Sequence, residues 1–312
     1  MTTTFPYQLG EPVEHRGIVI APLFPRHDPI ARYVTLDQAL PRGLRITEKD
    51  AGGSVPELNV ANPLAERVLL YDGEELVGAK QNRILNMTVL VEARSTLPIP
   101  VSCVEEGRWS TRSAFFDSAA HMAHPEVRRV KSEALAAQPL SRGAAQMHVW
   151  DSLREKSRRM GVRSETGAQA DVFEAHVRSL GELEAAFSAQ PSQAGALLAL
   201  DDTLCLDWVS RPEAFEQLWP KLRRGYLLDA LERLDGEPAA AAIPGFVARL
   251  ASATRTTGPS AGLGADLRLR GEHVIGSGLE LDGELLQISA FTSDEAGARA
   301  FGRIARPSRR GR

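Results

Sequence analysis

The sequence predicts an α+β protein in which N-terminal and C-terminal β segments form a sheet or barrel-like core, with a helical block inserted between them. Three observations predict it. Residues 17–110 hold short apolar, β-branched stretches separated by Gly, Pro and Asn, the punctuation of strands and turns. Residues 113–187 are Ala-rich, with apolar residues at helical spacing. From residue 195 the chain returns to β patterns, interrupted by a further helix.

Taken in order, "GIVIAPLF", "YVTLDQAL", "SVPELNVAN" and "ERVLLYDG" read as strands, and Asp72-Gly73 as a hairpin turn, since Gly tolerates the positive φ such turns need. Residues 79–91, "AKQNRILNMTVLV", read as one strand, followed by another at 96–105, "TLPIPVSCVE". Pro98 and Pro100 cannot donate to a ladder, so the second strand should begin at an edge or after a bend. In the helical block, Val149, Trp150 and Leu153 make one stripe and Phe173, Val177, Leu180 and Phe187 another, with a loop at 164–171. "GALLALDDTLCLDWVS" reads as a hairpin turning at Asp201 and Asp202. Ser210 and Glu213 have capping-box spacing before the next helix, which Pro220 should kink or split. A shorter helical piece around "AAAIPGFVARLASAT" leads to the final strands. There "LELDGELLQISA" repeats the Asp-Gly-Glu pattern of "LYDGEELVGA"; both an ordinary reuse of a favoured turn and an old duplication fit.

These elements define an N-terminal segment at 1–16 and a single domain at 17–302: β-rich at 17–110, helical at 113–190 and mixed at 195–291. The remaining "RIARPSRRGR", 303–312, is read as a basic disordered tail. Without its five arginines the formal charge falls from -3 to -8, so the body is acidic and no nucleic-acid partner is expected beyond a weak contact by the tail. The N-terminus has no basic region before an apolar run, and no 18-residue apolar window exists; neither a signal peptide nor a membrane span is expected. Two cysteines, Cys103 and Cys205, make no disulfide framework and fit a reducing cytoplasm.

The unusual chemistry sits in the two central strands. Side chains two apart share a face, so Gln81 and Arg83 fall on the same face as Leu85, Met87, Val89 and Val91. In 96–105, Cys103 and Glu105 share the face of Ile99 and Val101. If the strands are antiparallel neighbours, Gln81, Arg83, Cys103 and Glu105 gather at one end of the sheet. A buried arginine must be paired or face water. Two readings stay open: an internal Arg83–Glu105 ion pair tying the strands together, or a polar pocket in which Arg83 binds an anionic group. In the second, Gln81, Asn82, Arg83 and Arg108 bind the ligand, Trp109 stacks on it, Glu105 is the acid/base candidate, and Glu74 and Lys80 line the rim. Cys103 is a nucleophile candidate only if Arg83 lowers its pKa; a buried, inert thiol is the simpler reading.

Other constellations are thinner. His121 and His124 lack partners at metal-ligand spacing and read as exposed, so no metal site is assigned. Asp201, Asp202 and Asp207 fit a turn better than a cation site. "GLGAD" and "GSG" lack the rest of a dinucleotide fingerprint, and no cofactor is assigned. Asp266, Arg268 and His273 join the pocket only if the two β halves meet.

The blocks "LLYDGEELVGAKQNRILNMTVLV", "IPVSCVEEGRW", "QMHVW", "WPKLRRGYLLDAL", "GLGADLRL" and "LLQISAF" together resemble the ARPP-type domain family, the ARG and Rhodanese-Phosphatase-superfamily-associated proteins, over nearly the whole chain. GAKQNR and SCVEEGRW are the specific part. The resemblance implies a setting near ADP-ribosylglycohydrolases and rhodanese-like phosphatases, hence an ADP-ribose-like or NAD-related ligand or a protein partner from such pathways. It assigns no reaction and carries over no site residue. The functional expectation is a protein that binds or processes a small anionic, nucleotide-like ligand; the alternative is a non-catalytic scaffold with a structural Arg–Glu pair.

Overall fold

The computed structural model describes residues 5–49, 56–137 and 142–293. The N-terminal part contains β1 (Tyr7–Leu9), β2 (Val13–His15), β3 (Ile18–Pro25), β4 (Val34–Thr35), helix α1 (Leu36–Ala39), β5 (Arg45–Glu48) and β6 (Glu57–Asn62). Next come β7 (Val68–Leu70), β8 (Glu74–Gly78), β9 (Arg83–Leu85), β10 (Val89–Val91), β11 (Ser95–Cys103) and β12 (Phe116–Met122). Helices α2 (Pro125–Ala137), α3 (Arg142–Arg159), α4 (Gln169–Ala175) and α5 (Val177–Glu184) form the central block. The hairpin β13 (Gly195–Leu200) and β14 (Thr203–Val209), helices α6 (Pro212–Ala230) and α7 (Ile243–Ser252), and strands β15 (Thr254–Pro259), β16 (Ala265–Gly271), β17 (Val274–Leu281) and β18 (Glu284–Thr292) complete it. The fold is α+β, and among the described residues no helix is long and apolar enough to cross a membrane.

The N- and C-terminal strands do share a sheet. It runs β1-β3-β13-β14-β18-β17-β16-β15, with β2 paired to β3. Both faces are covered, which is why β13 and β14 read as continuous apolar runs without alternation. One face packs under α7 through Phe246 and Leu250, and the other under α6 through Leu218, Leu222 and Tyr226. The remaining N-terminal strands build a separate six-stranded sheet, β12-β8-β9-β11-β6-β5, and a small sheet β10-β7-β4. Helix α2 stands between these two β bodies.

Several elements differ from the sequence reading. Residues 79–91 are not one strand: the chain leaves β8, turns through Gly78 and Ala79 at positive φ, and pairs again only at Arg83. "YVTLDQAL" gives only the two residues of β4, because Gln38 Oε1 accepts the Thr35 N–H at 3.0 Å and starts a helical turn. The start of the expected helical block is strand β12, whose Phe116 opposes Gly78 of β8; its alanines raise helix propensity, but pairing decides. Asp72-Gly73 turns between two sheets rather than closing a hairpin, whereas Asp282-Gly283 does join the paired β17 and β18. Gly73 is required there, since a Cβ would lie 2.7 Å from the Arg128 side chain. Ser210 bonds Tyr33 Oη instead of capping α6, whose N-cap is Arg211. Pro220 does not split α6: it lies on the exposed face, where a freed carbonyl can be solvated, and buried Leu218, Trp219 and Leu222 hold the helix to the sheet. The basic segment 303–312 lies outside the described residues.

A buried ion pair ties the bodies together. Arg128 of α2 forks onto Asp207 of β14, with Nη1 2.8 Å from Oδ2 and Nη2 2.6 Å from Oδ1. The same carboxylate accepts from the hydroxyls of Tyr71, Tyr226 and Ser289. Burial works to raise the Asp207 carboxyl, but the Arg128 charge and these hydrogen bonds outweigh it and hold it below the usual range. Beside it, Lys131 of α2 binds Asp72 and the Leu85 carbonyl. Removing one partner of such a pair strands a buried charge, at about 3–5 kcal/mol, whereas apolar replacement of both is far less costly. In urea denaturation, Asp207→Leu is therefore expected to lose about that much stability, and adding Arg128→Met should recover part of it. Equal, additive losses would contradict this account.

Candidate functional site

The site is built on the antiparallel pair β9–β11, in which Arg83 opposes Cys103 and Leu85 opposes Val101. The polar ends coincide as the alternation of the two strands predicted. Pro98 and Pro100 fall in the half of β11 laddered to β6, beyond its pairing with β9. At the other end, the turn after β8 exposes its carbonyls to Arg108: Nη1 donates to Ala79 O at 2.8 Å and Nη2 to Gly78 O at 3.2 Å. Gly78 is needed in this turn, at φ 123°, because a Cβ would meet Ser113 Oγ at 2.5 Å.

Gln81, Asn82, Arg83, Cys103, Glu105 and Arg108 come together here, but not with the pairing considered from the sequence. Glu105 binds Arg108, Oε2 to Nη2 at 2.6 Å, and not Arg83. Three residues apart beyond the end of β11, those two side chains meet directly, while Arg83 lies on the paired strand. Asn82 is the hub: its N–H donates to Glu105 Oε2, its Oδ1 accepts from Arg108, and its Nδ2 donates to Glu75 Oε1. Burial works to raise the Glu105 carboxyl, but bonds from Arg108 and the Asn82 N–H hold it below the usual range. Glu105 is thus a committed anion rather than a poised acid. Burial pushes the Cys103 thiol up to about 11, against the opposing charge of Arg83, so it stays protonated near neutrality. The backbone of Cys103 is clamped by Gln146 of α3 at both N–H and carbonyl.

Arg83 is 0% exposed. Its Nη1 donates to Gln81 Oε1 at 2.8 Å, and Glu48 Oε1 lies 4.0 Å from Nη2. Among the described residues, Nε and Nη2 have no hydrogen-bond partner. Desolvation lowers its pKa, with nearby Glu48 and Glu105 opposing. The Trp109 ring lies 5.8 Å from the guanidinium carbon, and Lys80 Nζ 5.3 Å from the same ring, which is 49% exposed.

Residues the sequence reading missed extend the cluster. Glu75 Oε2 meets His121 Nε2 at 2.9 Å and accepts from Gln169 Nε2 at 2.6 Å, while Phe173 stacks on the imidazole. A carboxylate–imidazole pair can position and move a proton. Its one sequence signal was the spacing of His121 and His124. Both were expected to be exposed and both are buried, because β12 and the start of α2 carry them inward. His124 Nδ1 lies 2.7 Å from Asp229 Oδ1, and with Glu126 these residues have cation-ligand spacing. Lys156 already supplies the cation, with Nζ 2.7 Å from Asp229. Burial alone would raise Asp229, yet Lys156 and His124 hold it well below the carboxylate range. Asp201 and Asp202 occupy the β13–β14 turn, and Asp207 belongs to Arg128.

The halves meet elsewhere too. Asp266 and Arg268 of β16, 2.6 Å apart, line an 850 Å³ cleft opposite Asn86 and Met87. His273 sits in the β16–β17 turn. Glu74, expected at the rim, is buried, accepts the Tyr71 N–H and lies 3.5 Å from Lys221.

An α+β protein with a buried strand-end cluster of arginines and carboxylates beside a half-exposed tryptophan is the class these features define. The chain belongs to the ARPP-1 family, the ARG and Rhodanese-Phosphatase-superfamily-associated Protein domain, whose match covers residues 6–291. That bears out the resemblance carried by GAKQNR and SCVEEGRW. No curated protein and no solved structure matches the chain.

Burial raises the Glu74 carboxyl from 4.5 to about 7, against the opposing charge of Lys221. The folded state therefore holds a proton that the unfolded chain releases, and this group makes stability fall as pH rises between those values. Glu74→Gln should flatten the urea-midpoint profile between about pH 5 and about pH 7. An unchanged slope would show that Glu74 does not carry it.

Proposed function

We propose that this protein binds a small anionic, nucleotide-like ligand of the ADP-ribose or NAD type at the Arg83–Trp109 end of the β9–β11 pair. The observation that carries this reading is the pair of Arg83 donors, Nε and Nη2, left without partners in a buried guanidinium. Unmade hydrogen bonds of a buried charged group are costly. Nε and Nη2 lie on one edge of the guanidinium, the fork that grips a phosphate or carboxylate with two parallel bonds. Gln81 fixes the opposite edge through Nη1, so the fork is oriented before a ligand arrives. Trp109 offers a half-exposed ring for a planar base, and Lys80 lies over that ring. An incoming anion would take the place of the distant Glu48. The ADP-ribose setting is supported by the family's named association with ARG proteins, which also makes proteins of that pathway candidate partners.

A second reading, a non-catalytic scaffold, is favoured by the complete burial of Arg83 and the closed Glu105–Arg108–Asn82 network. Thermal denaturation with ADP-ribose, NAD and inorganic phosphate separates the two. Ligand binding predicts a rise in Tm that Arg83→Ala abolishes while circular dichroism stays native; loss of two charged hydrogen bonds should weaken binding by at least about tenfold. No shift with any of the three ligands, or unfolding of Arg83→Ala, would favour the scaffold.

A further inference from the structure

A cleft lies at the other end of the same strand pair. Three residues past Arg83, the chain enters the 850 Å³ cleft, where Asn86 and Met87 face β15–β17 with α2 forming a third wall. That volume falls in the range of small-molecule sites, and the junction of two bodies is where such sites concentrate. Glycine lets the loop after β15 approach its neighbours closely. A Cβ on Gly262 would lie 2.3 Å from Leu90 O, and one on Gly264, at φ 90°, would lie 2.2 Å from Glu280 O. Without side chains there, the loop after β15 seats on β10, with Leu263 N donating to Leu90 O at 2.8 Å. The "GLGAD" run therefore serves this close seating.

The chemistry of the walls is specific in kind. Asp266 and Arg268 are two apart on β16, so they share a face, and they place a carboxylate acceptor and a guanidinium donor side by side. Asn86 is nearly buried; Ser102 Oγ occupies its Oδ1, so the group it offers the cleft is its NH2. Ser132 and Thr256 add hydroxyls, while Met87, Pro98 and Pro100 give an apolar floor. The charges balance, Glu57 and Asp266 against Arg268 and Arg270. The neighbouring Lys131 is held by Asp72, so no uncommitted ammonium from α2 awaits a phosphate. The Asp266 carboxylate in the wall also disfavours an anion beside it.

We propose that this cleft binds an uncharged polyhydroxylated ring, a sugar or ribosyl group, whose vicinal hydroxyls donate to Asp266 and accept from Arg268 and Asn86 while its C–H face rests on Met87 and the prolines. This site is separate from the Arg83 cluster and does not depend on it.

Ligand-observed saturation-transfer NMR on the full chain, with D-ribose, methyl glucoside and methyl galactoside as probes, tests it. The expected result is transfer to at least one probe, reduced at least about fivefold in Asp266→Asn and in Asn86→Ala. Arg83→Ala should leave it unchanged, and circular dichroism should confirm that all variants stay folded. Absence of transfer to all three probes, or transfer that persists in both cleft variants, would overturn the proposal. So would loss in Arg83→Ala alone, which would place the sugar at the other end of the strands. If Asp266→Asn fails to fold, Asn86→Ala and Arg268→Gln decide by the same criterion.

Discussion

The arrangement depends on one buried ion pair, Arg128–Asp207. It is made by a helix that belongs to neither β body and a strand in the middle of the larger sheet. Tyr71 reaches the same carboxylate from the end of β7, Tyr226 from α6 and Ser289 from β18. A carboxylate with this many donors is satisfied only when all of these elements are in place. The pair therefore fixes the distance and rotation of the two bodies more narrowly than apolar packing, which tolerates sliding. Its cost is desolvation of both ions, offset by the bidentate geometry and the added hydroxyls.

Everything proposed for function is downstream of that constraint. Lys131, one turn along α2 from Arg128, binds Asp72 and the Leu85 carbonyl, and so fixes the end of β9. β9 then presents Arg83 at one end and leads into Asn86 at the other. The first end is enclosed, mixes arginines with carboxylates and lies next to a half-exposed ring. The second is charge-balanced, open and lined from both bodies. Two different polar environments thus share one short strand pair, and α2 braces both.

How much of this was legible follows the physics of each element. β3, β11, β13, β14, β17 and β18 could be read because burial on one or both faces writes itself into apolar pattern. The coincidence of polar ends in 79–91 and 96–105 could be read because alternation has a fixed period and antiparallel neighbours reverse direction. The break at Gly78–Ala79 could not, since it depends on Arg108 taking the turn's carbonyls from thirty residues away. β12 was hidden by alanines that favour helix but here fill a strand edge. Glu75, His121 and Gln169 carry no local signal of their meeting, because they come from three separate elements.

The sequence by itself determined the fold class, the family and the neighbourhood in which polar residues interrupt an apolar strand pair. These are local or periodic properties, and a family motif is a local string. Only the tertiary structure decided who pairs with whom. Glu105 went to Arg108, which left Arg83 with an open fork, and Asp207 went to Arg128 rather than to a cation at a turn. Glu105 and Arg108 are only three residues apart, so that pairing is local; the Asp207–Arg128 pairing and the place of Arg83 on the neighbouring strand are set by which charge arrives within hydrogen-bond reach after long loops close, and no spacing along the chain encodes that distance.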